Sequence, residues 1–127
     1  MSLYLGIDLG TQSLKVAVYD TSARAIVAKG SSELQLVSRP DGTREQLAHW
    51  WVQALHLAMQ QLESAARDGI KAIGVSGQQH GFTPVAADGE VLAPVKLWCD
   101  TATTAECGEI TAAFGGADRC IDEVGNP

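Results

Sequence analysis

Apolar runs separated by short polar turns predict three consecutive strands at the start of the chain. They cover residues 3–8, 14–19 and 26–36, and in the last of them Leu34 and Leu36 fall on one face. The Gly10-Thr11 turn joins the first two strands, and a polar turn over residues 21–24 joins the second to the third. The chain is therefore expected to begin with a strand-rich segment.

A long helix is predicted after these strands. Pro40-Asp41-Gly42 breaks the strand pattern, and the segment from Thr43 to Gln46 has the spacing of a capping box at a helix start. Apolar residues then recur at helical spacing to about residue 67. They are Leu47, Trp51, Leu55, Ala58, Leu62 and Ala65. Gly69 is expected to end the helix in the left-handed conformation that glycine favours.

The second half of the chain predicts a strand, a hairpin and a second helix. The strand covers residues 70–75 and is apolar enough to be buried on both faces. An Asp-Gly turn within residues 87–90 is typical of a hairpin between segments 82–86 and 91–97. The helix covers residues 103–113 and stops at Gly115-Gly116. The order of elements predicts an α/β fold with a mixed sheet and flanking helices.

Composition narrows the class of protein. The chain has 127 residues, 46% of them hydrophobic, which suits one globular domain. Its net charge of −6 argues against non-specific nucleic-acid binding, which needs a basic face. No apolar run approaches the length of a membrane span, so no membrane partner is expected. The three cysteines lack Cys-x-x-Cys spacing, which favours a reduced, cytoplasmic location.

The segment from Gly6 to Lys15 carries the clearest chemical signal. Two strands joined tightly at Gly10-Thr11 direct backbone N–H groups to one place, where an anion can bind. Asp8 ends the first strand beside that place, and a carboxylate next to a phosphate requires a cation such as Mg²⁺ between them. No Walker P-loop or Gly-x-Gly-x-x-Gly motif is present. The alternative interpretation is an ordinary hairpin without a ligand.

Two further groups of polar residues follow predicted strands. Gln79 and His80 come directly after the strand at 70–75, and their donors and acceptors suit the hydroxyls of a polyol. The alternative is a surface loop without a ligand. Trp98 and Asp100 follow the last strand, where the indole could pack on a sugar and the carboxylate could accept from its hydroxyls. For Trp98 the alternative is ordinary core packing.

Three segments in this order resemble the FGGY family of carbohydrate kinases, over essentially the whole chain. They are Gly6-Ile7-Asp8-Leu9-Gly10-Thr11, Gly77-Gln78-Gln79-His80-Gly81 and Leu97-Trp98-Cys99-Asp100. The second segment resembles the xylulokinase version, because glycerol kinases usually carry Arg-Glu where this chain has Gln79-His80. The resemblance implies the ribonuclease H-like fold shared by actin, hexokinase and Hsp70, here incomplete.

The resemblance also implies roles for individual residues. The implied cofactors are Mg²⁺ and ATP. Asp8 would be catalytic and would hold Mg²⁺ through water, beside the ATP phosphates. Thr11, Gln12 and Lys15 would line the ATP phosphate site, and Gln79 and His80 would bind the ketose. Asp100 receives no role, because the family usually has an arginine where this chain has Ala102.

The implied function is the ATP-dependent phosphorylation of a ketose, D-xylulose to D-xylulose 5-phosphate. Ribulose, L-xylulose or glycerol as substrate, a sugar-binding domain without catalysis, and a non-kinase ATPase of the actin and Hsp70 type remain alternatives. Residues 1–127 would form the N-terminal part of the first kinase domain, inactive alone, with the general base and the second, ATP-binding domain beyond Pro127. A homodimer is possible for the full-length enzyme.

Overall fold

The computed structural model describes residues 2–126, which form a four-stranded sheet, a small three-stranded sheet and four helices. In chain order the elements are β1 (Leu3–Leu9), β2 (Ser13–Asp20), β3 (Ala25–Glu33), β4 (Val37–Ser38), β5 (Arg44–Gln46), α1 (Ala48–Gln60), α2 (Ser64–Asp68), β6 (Ile70–Gly77), β7 (Val95–Lys96), α3 (Thr104–Phe114) and α4 (Ala117–Val124). The larger sheet has the order β3-β2-β1-β6, and the smaller has the order β4-β5-β7. The three predicted strands are confirmed as β1, β2 and β3, but β3 ends at Glu33 and not at residue 36, and β4 and β5 before the helix were not predicted.

Strand β1 lies in the middle of the mixed sheet and sets its geometry. It pairs antiparallel with β2 and parallel with β6. In this register Asp8 lies opposite Lys15 on one side and opposite Ser76 on the other. The end of β1 is therefore next to the end of β6, and parallel neighbours carry the residues that follow them to the same edge of the sheet.

Helix α1 packs on β2 and β3 and closes the core. The buried side chains at this interface include Val16 and Val18 from the sheet and Ala54 and Ala58 from the helix. Small alanines on the helix let it approach the sheet closely. The approach is tightest at Gly30 in β3, where a Cβ atom would overlap the carbonyl oxygen of Ala58.

We expect Gly30→Ala to lower the free energy of unfolding by about 1–3 kcal/mol, because the added methyl group forces α1 away from the sheet. Gly108→Ala is the matched control. It lies in α3 with open space around its Cα, and alanine there should stabilise the helix by up to about 1 kcal/mol. Urea unfolding of both variants checks the prediction, and equal stabilities would contradict the close packing of α1 on β3.

The predicted helix start was wrong. Thr43 precedes β5, and residues Arg44–Gln46 form that strand, so the helix begins at Ala48 instead. Pairing of β5 with β4 and β7 supplies hydrogen bonds that a helical turn would have had to replace. The helix also stops at Gln60, and α2 is a separate short turn. Gly69 ends α2 with a φ of −83°, so the left-handed conformation predicted there was wrong as well.

The predictions for the second half were right in order and partly wrong in detail. Strand β6 is exposed rather than buried, with Ile73 at 61% and Val75 at 73% exposure, because β6 is an edge strand and α1 packs on β2 and β3. The Asp-Gly turn forms, and segments 82–86 and 91–97 pair antiparallel through two isolated bridges, Val85 with Val91 and Phe82 with Lys96, instead of through continuous strands. The second helix is confirmed as α3, which ends at Gly115 with a φ of +112°, while α4 was not predicted.

Candidate active site

The turn between β1 and β2 forms one wall of a cavity of about 440 Å³. The cavity is lined by Asp8, Gly10, Thr11, Gln12, Ser13, Lys15 and Trp98. The turn is closed by the Gly10 amide, which donates to the carbonyl of Ser13 at 3.1 Å. All four residues that the sequence assigned to phosphate and Mg²⁺ therefore lie around one space.

Charge at this cavity comes from Asp8 and Lys15, which are cross-strand partners and both exposed. Within residues 2–126 neither side chain takes part in an ion pair. A lone exposed carboxylate does not make a dedicated metal cage, and the described residues hold no cluster of three metal-ligating side chains. It does fit Mg²⁺, which keeps most of its waters and binds through one or two carboxylates plus substrate phosphates.

The loop after β6 reaches the same turn. Gln78 donates from Nε2 to the Gly10 carbonyl at 3.2 Å, and its Oε1 accepts from the Thr11 hydroxyl at 3.1 Å. Gln79 and His80 follow directly and are exposed, and neither side chain has a hydrogen-bond partner within residues 2–126. The structure thus brings the predicted sugar-binding residues beside the predicted phosphate turn.

His80 has an unusual backbone conformation. Its φ is +60°, a left-handed value that it shares only with Arg24 among the non-glycine residues described. A side chain at such a position costs conformational energy, which structures tolerate most often where a residue must point in a specific direction. Arg24 adopts the same conformation in the turn between β2 and β3, so the φ marks a tight loop, and the role of His80 stays a prediction.

Trp98 lines the cavity and does not lie in the core. It is 61% exposed, and its indole N–H donates to the Thr11 hydroxyl at 3.2 Å. The alternative of core packing was therefore wrong. The hydrogen bond fixes the edge of the indole and leaves apolar ring surface open, which suits a sugar or a base.

Asp100 has a structural role in this fold. Its side chain is 3% exposed, and its oxygens accept from the amides of Arg44 at 2.7 Å and Ala102 at 3.1 Å. Lys96 adds an ion pair at 3.4 Å and also contacts Glu45. Through these contacts the buried carboxylate ties β5 to the loop after β7.

The hydrogen bond from the Arg44 amide is the main reason why the pKa of Asp100 lies below its ordinary value of 3.8, although burial opposes the shift. The carboxylate therefore stabilises the fold above about pH 3.8, and this contribution disappears as the pH falls through the lower folded-state pKa. We expect Asp100→Asn to lower the free energy of unfolding by about 1–3 kcal/mol at neutral pH. The difference from wild type should shrink below pH 3.8 in urea unfolding. Asp122→Asn, at an exposed position on α4, is the control.

Sequence reasoning missed two glutamines that contact the turn. Gln78 lies inside the Gly-Gln-Gln-His-Gly segment and could have been found there. Gln46 is completely buried, and its Nε2 donates to the Thr11 carbonyl at 2.8 Å. Its local sequence predicts a helix cap and does not indicate a contact with the turn. No helix among the described residues is long and apolar enough to cross a membrane.

Comparison with known proteins shows the family of the chain. Residues 3–126 match the N-terminal domain of the FGGY family of carbohydrate kinases. The chain is 34% identical over 130 residues to a xylulose kinase of Haemophilus influenzae, covering 97% of this chain and 26% of that protein. It is likewise 34% identical over 124 residues to a xylulose kinase of Streptomyces coelicolor, covering 98% and 25%. The chain thus spans about a quarter of the length of these curated relatives.

Solved structures show the same fold. A xyloylose kinase from Brucella ovis superimposes with a TM-score of 0.78 at 36% identity, covering 87% of this chain and 24% of that one. A Plasmodium falciparum glycerol kinase with ADP gives a TM-score of 0.74 at 24% identity, covering 91% and 24%, a likeness that concerns the fold alone. The mixed sheet and its helices are thus part of a ribonuclease H-like fold, as predicted.

Proposed function

The chain belongs to the FGGY family of carbohydrate kinases, and we propose that the protein transfers the terminal phosphoryl group of ATP to a hydroxyl of a ketose, with D-xylulose as the substrate. The observation that carries the proposal is the contact of Gln78 with both Gly10 and Thr11. It places the Gln79-His80 loop beside the turn that suits phosphate. In-line transfer requires that the site for the phosphoryl donor, ATP, lies next to the site for the phosphoryl acceptor, the sugar.

In the proposed reaction the chain positions both substrates and neutralises charge. The amides of the turn, with Thr11, Gln12 and Lys15, hold the ATP phosphates, and Gln79 and His80 hold the sugar hydroxyls. Asp8 would hold Mg²⁺ through water, and the ion when bound would offset the negative charge of the transferred group. Asp8 is the only carboxylate among the described residues that line the 440 Å³ cavity. No residue of this chain is therefore assigned to accept the proton of the sugar hydroxyl.

Trp98 supports a sugar as the acceptor in this proposal. Its exposed side chain lines the same cavity, where the ring can cover the apolar face of a sugar. An ATPase without a sugar substrate has no use for the Gln79-His80 loop or this ring. The named relatives from Haemophilus and Streptomyces, both xylulose kinases, further favour D-xylulose.

The test is a coupled assay of ADP release by the complete gene product with Mg·ATP and a panel of acceptors. We expect D-xylulose to give the highest kcat/KM among D-xylulose, ribulose, L-xylulose and glycerol, with little ADP released when no acceptor is present. A higher kcat/KM for another acceptor would support a kinase whose substrate is not D-xylulose. Release of ADP that is independent of every acceptor would favour an ATPase and contradict the proposal.

A further inference from the structure

Two glutamine side chains hold consecutive carbonyl groups of the β1–β2 turn from two different parts of the fold. Gln46, in β5, donates to the Thr11 carbonyl at 2.8 Å. Gln78, after β6, donates to the Gly10 carbonyl at 3.2 Å. These two carbonyls belong to two of the three peptide units between Gly10 and Ser13, so both units are fixed by side chains distant in sequence.

The orientation of the Gln46 amide is determined by its neighbours. Its NH₂ group lies between two carbonyl oxygens, those of Thr11 and Gln35, each at 2.8 Å. Its oxygen accepts from the Trp51 indole N–H at 2.9 Å. A carbonyl can only accept and an indole N–H can only donate, so only one arrangement satisfies all three contacts. Because the side chain is completely buried, each contact is costly to lose.

Fixing a carbonyl also fixes the N–H of the next residue. The peptide unit is planar and trans, so its C=O and N–H point in opposite directions, and no cis peptide occurs among the described residues. The Gly10 carbonyl shares its peptide unit with the Thr11 N–H, and the Thr11 carbonyl shares its unit with the Gln12 N–H. Within residues 2–126 neither N–H donates to another group. Both remain available to an anion.

We infer that Gln46 and Gln78 are positioning residues that preorganise the Thr11 and Gln12 amides for the phosphates of ATP. The inference rests on the proposed function for the identity of the anion. Neither glutamine has to touch ATP, because each acts through the peptide unit that it holds. A turn whose peptide units are already oriented binds phosphate without the entropy loss of ordering them. Thr11 is further fixed by Trp98, so the tip is held on its backbone and on its side chain.

The inference distinguishes these glutamines from residues that only stabilise the fold. A purely structural residue changes the folded population, whereas a residue that orients the turn changes the affinity for ATP in protein that is still folded. Methionine is the suitable replacement, because it keeps the approximate shape of glutamine and removes both the donor and the acceptor. Glutamate at position 78 keeps the acceptor for the Thr11 hydroxyl and loses the donor to Gly10, and its negative charge near the proposed phosphates weakens ATP binding further, so Gln78→Met gives the cleaner comparison.

The experiment uses the complete gene product with Gln46→Met, Gln78→Met and Gln78→Glu, and with Gln53→Met at an exposed position of α1 as control. Binding of Mg·ATP is measured by calorimetry without sugar, KM values are measured for ATP and D-xylulose, and thermal melting shows that each variant is folded at the assay temperature. We expect the Kd and KM for ATP to rise about tenfold in all three variants. This is the cost of losing roughly one hydrogen bond between a turn amide and the ATP phosphates. The KM for D-xylulose should rise less than the KM for ATP in all three variants, and Gln53→Met should match wild type.

The outcomes separate this inference from the proposed function. Folded variants with unchanged affinity for ATP, or with equal losses for ATP and D-xylulose, would overturn the inference and leave the kinase proposal intact. Weaker ATP binding in the variants of a protein that phosphorylates no sugar would support the inference and refute the kinase. A wild-type protein that binds no ATP would refute both. If Gln46→Met does not fold, the two variants of half-buried Gln78 decide the question.

Discussion

Asp8→Asn in the complete gene product should lower kcat by at least about a hundredfold, which is the usual cost of losing one electrostatic contact to a transition state. Asparagine keeps the shape of the side chain and removes the charge. Asp8 is exposed beside the turn cavity and forms no ion pair within residues 2–126, so its charge is available to a cation bound with ATP. The KM for the sugar should change little, because Asp8 is assigned to the phosphate side of the site.

Asp20→Asn is the control for this substitution. Asp20 also ends a strand of the same sheet, but at the opposite end, where it accepts from the amides of Ser22 and Ala23. Asparagine can keep an acceptor there, so kcat should stay near the wild-type value. A near-normal kcat for Asp8→Asn would show that Asp8 is only an exposed carboxylate at a strand end, and the proposed phosphate site would fail with it.

The parts of the site that could be predicted from sequence are those that depend on neighbouring residues. Asp8 and Gly10-Thr11 lie within four positions of one another, and a strand, a carboxylate and a glycine turn determine their geometry locally. The position of Gln79 and His80 needed one more step, since residues after parallel strands collect at one edge of the sheet. The pairing of Leu9 with Gly77 confirms that step.

The parts that could not be predicted depend on contacts between distant segments. Thr43 to Gln46 has the local pattern of a helix cap, but pairing of Gln46 with Val95 makes this segment a strand. The same contacts bury the Gln46 side chain under the turn, a role that no local pattern indicates. The exposure of Val75 was not predicted, because an apolar pattern shows that a strand can be buried but does not show which element covers it.

The relation between Trp98 and Thr11 changes how the site is understood. The sequence placed Trp98 with the sugar and Thr11 with the phosphates, as two separate groups. In the structure the Thr11 hydroxyl donates to Gln78 and accepts from Trp98. One side chain therefore joins the turn to Gln78 and to Trp98, one residue from each of the two segments that resemble sugar-binding motifs.

His80→Ala should raise the KM for D-xylulose about tenfold or more and leave the KM for ATP almost unchanged. Loss of the imidazole leaves sugar hydroxyls without a partner, at a cost of about 1–3 kcal/mol, and 1.4 kcal/mol corresponds to one decade in affinity.

The left-handed φ of +60° at His80 provides a second variant, because glycine adopts this conformation without strain. If the imidazole binds the sugar, His80→Gly should raise the KM for D-xylulose at least as much as His80→Ala. If the position only requires a particular backbone conformation, His80→Gly should behave like wild type, and His80 would be a structural loop residue. An equal loss of affinity for ATP would also contradict the assignment.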